Sequence, residues 1–203
     1  MHPPKVVVFD LGKVLLDFDY AVAARRIAAR SSATPEQVRQ FIDQSPLLAR
    51  YESGEMSTPQ FFEAVRRAIG FAGSLEEFGE DFADIFTEMP EMIALQDWLR
   101  HSGIPTYLFS NSNDLAISHI HRRYPFYSRF DGYILSYERG ALKPQPRIYE
   151  VVERETQQSG DNIAYFDDRA ENVAAGAARG WRTIVHESAA KTTQALRTWG
   201  LGC

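Results

Sequence analysis

The chain has 203 residues, 44% of them apolar and 24% charged, with a net charge of −5. That size and balance suit one medium globular domain, or a domain with a smaller insertion, able to bury a full core. The acidic charge argues against a general nucleic-acid or membrane-surface binder, since both need a positive field; a small phosphate-bearing ligand needs only a few local cations.

Lys5–Phe9 opens as a buried strand: Val6-Val7-Val8-Phe9 is an unbroken apolar run that stops at Asp10, with Gly12 close behind. From Asp19 to about Glu88 the pattern is helical only. Tyr20–Arg30 is the first helix, and Pro35–Gln44 the second, with Thr34 as N-cap and Pro35 at the first helical position. A polar turn, Tyr51-Glu52-Ser53-Gly54-Glu55, leads to a helix begun by Ser57-Thr58-Pro59-Gln60 and ended by Gly70. Ser74–Thr87 is a fourth, with Phe78, Phe82, Ile85 and Phe86 at helical spacing.

From Pro90 the pattern alternates. Helix 90–102 precedes strand 104–109, helix 115–123 precedes strand 132–135, and helix 145–157 precedes strand 163–166. Helix 170–179, strand 183–185 and helix 189–199 complete the chain. Alternation of this kind means a parallel sheet covered by helices on both faces. The expected fold is therefore α/β, with an all-helical block inserted just after the first strand. Cys203, the single cysteine, leaves no internal disulfide, which fits a reducing compartment. No signal-peptide core and no run of ~18 apolar residues is present, so a soluble cytoplasmic protein is expected. Nothing in the sequence specifies an oligomeric state.

The predicted strands end in a suggestive set of polar residues. Asp10 follows the first, where open α/β sheets place their ligands. Ser110-Asn111-Ser112-Asn113 follows the second and leads into a helix, an arrangement that favours anions. Lys143 stands in a loop beside Pro144, which stiffens it. Asp167-Asp168 follows Tyr165-Phe166, and paired carboxylates make a hard-oxygen site of the kind Mg²⁺ takes. Each has a plainer reading: Asp168-Arg169-Ala170-Glu171 fits a helix capping box, Ser112 or Asn113 fits an N-cap, and Lys143 alone fits a surface lysine. Their co-occurrence on successive strand ends favours a site.

In this order the residues resemble the four motifs of the haloacid dehalogenase-like hydrolase superfamily. The motifs are Phe9-Asp10-Leu11-Gly12, Leu108-Phe109-Ser110-Asn111, Lys143-Pro144, and Phe166-Asp167-Asp168 with Asn172 beyond. The chain is most similar to a bacterial branch that includes an α-D-glucose-1-phosphate phosphatase, through Phe-Asp-Leu-Gly, the Gly54-Glu55 turn and Arg147-Ile148-Tyr149 after Lys-Pro. The resemblance implies a Rossmann-like parallel-sheet core over residues 1–16 and 90–203, and a C1-type helical cap over residues 17–89. It implies an Mg²⁺-dependent phosphatase of a small phosphorylated metabolite, with a sugar phosphate favoured. Asp10 would be the nucleophile, ligating Mg²⁺ through one oxygen and forming an aspartyl-phosphate with the other. The Gly12 carbonyl and Asp168 would be further ligands, with Asp167 assisting directly or through water. Ser110, the Asn111 N–H and Lys143 would hold the phosphoryl oxygens, and Lys143 together with the metal would keep Asp10 ionised.

One departure stands out. Most phosphatases of the superfamily carry a second Asp two residues after the nucleophile as general acid/base, and here that position is Gly12. Lys13 and Asp17 are nearby in sequence, with Asp17 the first substitute to consider. Two alternatives follow: a catalytically silent protein binding a phosphate ligand or partner, suggested by Gly12, and a dehalogenase, which has little use for the paired carboxylates. His119 and His121 lie two apart on a helix and so point in different directions, against a metal pair. Tyr51, Phe61 and Phe62 read as core, and Asp17, Asp19 and Tyr20 as residues near the hinge of the inserted block.

Overall fold

The computed structural model describes residues 2–42 and 45–202; the last two residues of the predicted 35–44 helix, Asp43 and Gln44, and Cys203 lie outside them. Five parallel strands form the central sheet: β1 (Val6–Phe9), β4 (Thr106–Ser110), β5 (Gly132–Leu135), β6 (Ile163–Asp167) and β7 (Arg182–Val185), in the order β5-β4-β1-β6-β7. Alternation along each strand sends side chains to opposite faces. Val7, Phe9, Leu108 and Phe166 pack on one face with α6 (Pro90–His101), α7 (Asp114–Arg123) and α11 (Ala189–Thr198). Val6, Val8, Phe109 and Tyr165 pack on the other with α9 (Pro146–Thr156), and α10 (Ala170–Ala177) lies along β6 and β7. The sheet order turns back at β1, which has β4 on one side and β6 on the other. Open α/β sheets bind ligands at such a switch point, beyond the carboxyl ends of the strands.

The helices between β1 and α6 form a second body with its own apolar cluster. They are α1 (Tyr20–Ala28), α2 (Pro35–Ile42), α3 (Pro46–Glu52), α4 (Thr58–Ile69) and α5 (Leu75–Ala83). Tyr51, Phe61 and Phe62 are buried there as expected, stacked among Phe71, Phe78 and Phe82. Their aromatic faces serve packing.

Two sequence expectations for this block are corrected. The predicted 74–87 helix ends at Ala83, and Phe86–Glu88 is strand β3, paired antiparallel with β2 (Leu16–Phe18) through Leu16↔Glu88 and Phe18↔Phe86. Phe86 fits helical spacing, but pairing with a partner some 70 residues away overrides that local pattern. The two strands form a ribbon at the root of the block. The stretch before the polar turn is helix α3, started by Pro46 at its first position and by Ser45, whose Oγ accepts from Leu47 N at 3.2 Å. Those start signals are present in the sequence. Among the described residues no helix is long and apolar enough to cross a membrane.

Candidate active site

The parallel register Phe9↔Phe166 carries on past the strand ends and sets Asp10 beside Asp167. A bond from Asp10 N to Phe166 O at 2.9 Å fixes the exit of β1. Ser110, at the end of β4, flanks the other side. Lys143, in the loop between α8 (Ser136–Arg139) and α9, reaches back to this point. Its Nζ donates to Asp10 Oδ1 at 2.9 Å, to Phe109 O at 2.9 Å and to Asp167 Oδ2 at 2.6 Å. An ammonium has three protons, and all three are engaged. The structure thus brings together Asp10, Ser110, Lys143 and the Asp167-Asp168 pair. It also answers the surface-lysine reading, because the Lys143 side chain is buried between two carboxylates.

The two adjacent aspartates differ sharply. Asp167 is fully buried, on the same strand face as Tyr165, and both its oxygens accept bonds. Lys143 Nζ and the Tyr165 hydroxyl donate to Oδ2, Arg169 N donates to Oδ1 at 2.9 Å, and Asn172 Nδ2 donates to both. Asp167 is therefore a fixture that holds Lys143. Asp168 points into the cleft, and among the described residues no cation pairs with it. Nor is it the predicted helix cap. Arg169 occupies the N-cap position, and the turn is closed by Asp167 Oδ1 on Arg169 N, so the capping box does not form. Asn113 does cap its helix, accepting from Ala116 N at 3.0 Å.

Burial pushes the Asp10 carboxyl up to about 7; Lys143 beside it opposes the rise and Asp167 adds to it. Lysine alone therefore does not hold Asp10 in the usual carboxylate range; the expectation joined it to a metal, whose positive charge would favour the ionised form further. Burial works to lower Lys143, but the attraction of Asp10 and Asp167 outweighs it and the ammonium sits above its ordinary range. Asp167 lies below its ordinary range, because Lys143 and the other donors overcome its burial. Burial raises Asp168, and the neighbouring Asp167 raises it further. One oxygen from each of Asp10, Asp167 and Asp168 lies within 4.8 Å of the others. Three carboxylates against one ammonium leave an uncompensated negative charge on hard oxygen donors, which is what a divalent cation such as Mg²⁺ neutralises. Because the Asp167 oxygens are already engaged, Asp10 and Asp168 are the donors that fit the ion.

Asn111 has a role the sequence did not reveal. Its side-chain amide clasps the Lys143 backbone in both directions: Nδ2 donates to Lys143 O at 3.1 Å, and Oδ1 accepts from Lys143 N at 2.8 Å. Asn111 therefore anchors the lysine loop. Gly12 faces the Phe18 ring, and a Cβ built there would meet Phe18 Cε1 at 2.8 Å. The ring packs edge-on against Tyr20 and Phe86 and fills the ground where a longer side chain would stand.

Asp17, the first substitute named for the missing acid, does not line the cleft. It is exposed, bonded to Lys13 Nζ, and held below the ordinary carboxylate range chiefly by that bond. Asp19 and Tyr20 do line the cleft, though the Asp19 carboxylate caps α1 by accepting from Ala21 N at 2.8 Å. His119 lies 3.6 Å from Asp84 and His121 stands against Tyr127, so the two do not converge. The cleft over Asp10 encloses about 570 Å³, and its far wall is supplied by the helical block through Asp19, Tyr20, Arg39, Ser45 and Glu52.

The chain as a whole has known relatives. The sequence pattern of the haloacid dehalogenase-like hydrolases matches residues 4–180. The chain belongs to that family. Within it, the chain is 24% identical over 200 residues to a D-ribitol-5-phosphate phosphatase of Bacteroides thetaiotaomicron, covering 95% of this chain and 96% of the relative. It is also 24% identical over 179 residues to a sesquiterpene phosphatase of Aspergillus oryzae, covering 87% and 86%. A haloacid dehalogenase-like enzyme from B. thetaiotaomicron, solved with magnesium and inorganic phosphate, shares the fold with a TM-score of 0.79 at 20% identity, over 91% of this chain and 94% of that one.

Proposed function

We propose that this hydrolase is an Mg²⁺-dependent phosphatase of a small polyhydroxylated phosphate ester, a sugar or polyol phosphate. The observation that carries the reading is Asp10, buried at the switch point with Lys143 on one side and the cation-free Asp168 across from it. Mg²⁺ held by Asp10 and Asp168, with the Gly12 carbonyl as a further ligand, would supply the positive charge that the cluster lacks. Asp10 attacks phosphorus, the P–O bond to the leaving group breaks, and water then cleaves the aspartyl-phosphate. Lys143 holds Asp10 in place and offsets negative charge, while Ser110 and the Asn111 N–H receive phosphoryl oxygens. Residues 17–89 act as a cap over the core formed by 1–16 and 90–203. Its hydrogen-bonding wall suits hydroxyl groups better than a hydrocarbon chain. The ribitol-5-phosphate phosphatase supports this class of substrate, and the intact cluster weighs against a silent binder or a dehalogenase.

With Gly12 in place of an acid, turnover should depend on how well the leaving oxygen carries charge, since general acid help is worth ~10²–10⁴ in rate. The test is phosphate release from esters of graded leaving-group pKa, with EDTA or Mg²⁺. Activity should require Mg²⁺, fall as leaving-group pKa rises, and favour anomeric sugar phosphates over ordinary alkyl ones. A flat dependence with chemistry rate-limiting would show that another group donates the proton, and Glu52, a carboxylate on the cleft wall, is then the residue to change. Full activity in EDTA would overturn the reading.

A further inference from the structure

Ser136 begins α8 directly after β5 and is fully buried. Its Oγ bridges two segments far apart in the chain. It accepts from Ser112 N at 2.9 Å, in the loop that carries Ser110 and Asn111, and donates to Glu52 O at 2.6 Å, at the end of α3 in the helical block. Ser112 O, at 3.1 Å, is a second acceptor within reach. A hydroxyl has one proton and two lone pairs. It can donate to Glu52 or to Ser112 at one time, while its bond from the Ser112 N–H survives either choice.

Other contacts run along the same seam between block and core. Tyr51 OH accepts from Leu115 N at 3.2 Å, and Thr58 Oγ1 donates to Asp114 Oδ2 at 2.9 Å. The Gly54 backbone, at φ +75, lies so close to α8 that a Cβ there would stand 2.3 Å from Tyr137 O. These contacts seat the turn after α3. The Ser136 contact differs from them in reaching on into the loop between Ser110 and Asn113.

We propose that Ser136 is a swivel that couples seating of the block to the anion loop. With the block seated, its proton points to Glu52 O; with the block lifted, it turns to Ser112 O. The buried donor keeps an acceptor in both positions, so lifting strands no polar group on the core side. The loop amide stays tethered throughout, and the Ser112 carbonyl is engaged only when the block is away. Ser136 is thus a positioning residue, placed to report seating to the loop. Its link to turnover rests on the phosphatase reading, whereas the swivel itself does not.

The test is amide hydrogen exchange read by NMR on the full chain without substrate. Gly54→Ala, which forces the turn off α8, and Tyr51→Phe, which keeps the ring stacked but drops the Leu115 anchor, should each speed exchange over residues 48–57 about tenfold. Both should leave the Ser112 amide protected. Ser136→Ala should speed exchange at 48–57 and at Ser112 together, with β1 and β4 unchanged. Ser136→Cys, nearly isosteric and a weaker partner, should do the same to a smaller extent and stands in if the alanine variant does not fold. Unchanged Ser112 protection in both Ser136 variants, or Ser112 exposed equally by Gly54→Ala and Tyr51→Phe, would overturn the swivel. Exchange decides this even if no phosphate ester is turned over; loss of phosphate release in every protein tested would instead reject the phosphatase reading.

Discussion

Asp10→Asn separates charge from shape at the centre of the site. Asp10, Lys143 and Asp167 place two carboxylates against one ammonium in a buried cluster, a net −1 when all are ionised. Burial raises Asp10 from 3.8 to about 7. An acid whose pKa rises on folding holds its proton more tightly in the folded chain than in the unfolded one. The wild type therefore loses stability as pH climbs through that window. About three units at ~1.4 kcal/mol each give a ceiling of about 4 kcal/mol. Asparagine keeps an oxygen to accept from Lys143 and leaves Lys143 and Asp167 as a neutral pair. In EDTA at about pH 8 the variant should be more stable by on the order of 2–4 kcal/mol, or roughly 4–16 °C in Tm for a chain of this size. At about pH 4.5, where wild-type Asp10 is protonated when folded, roughly a quarter of that gain should remain. Turnover should be lost at both. The assay is a matched pair of thermal melts at the two pH values, with phosphate release measured on the same samples. A variant no more stable than wild type at the higher pH would refute the charge argument, and full turnover would refute Asp10 as nucleophile.

The opposite change, Lys143→Met, leaves two buried carboxylates unpaired and should cost about 3–5 kcal/mol at neutral pH. Part of that should return on acidification as the carboxylates protonate, which melts across pH would show. Asp168→Asn should shift stability by less than ~0.5 kcal/mol, because Asp168 caps nothing, yet should raise the Mg²⁺ needed for half-maximal activity about tenfold or more. An unchanged Mg²⁺ titration would reject Asp168 as a ligand. Gly12→Ala should cost about 1–3 kcal/mol through the Phe18 ring. Combined with Phe18→Leu it should cost less than the two single changes added, as a double-mutant cycle would measure.

Much of the architecture was legible because its signals are local. An apolar run that stops at Asp10, a Ser-Asn loop after a second run, and an Asp pair after a third marked strand ends on one sheet edge. The glycine and proline punctuation set most helices to within a few residues, and Ser45-Pro46 carries the start signal of α3. The β2–β3 ribbon was not legible, since Phe86 carries the same residue-level signal in a helix or a strand until Phe18 lies beside it. The division of labour between Asp167 and Asp168 was half legible: two-residue alternation puts Asp167 on the face of buried Tyr165 and turns Asp168 away from it. That all three protons of Lys143 are taken and that Asn111 clasps the lysine loop were decided by the tertiary structure. Periodicity and punctuation belong to the chain and can be read along it. A charge's partners depend on which distant segments the sheet order brings side by side, and Lys143 meets Asp10 across 133 residues.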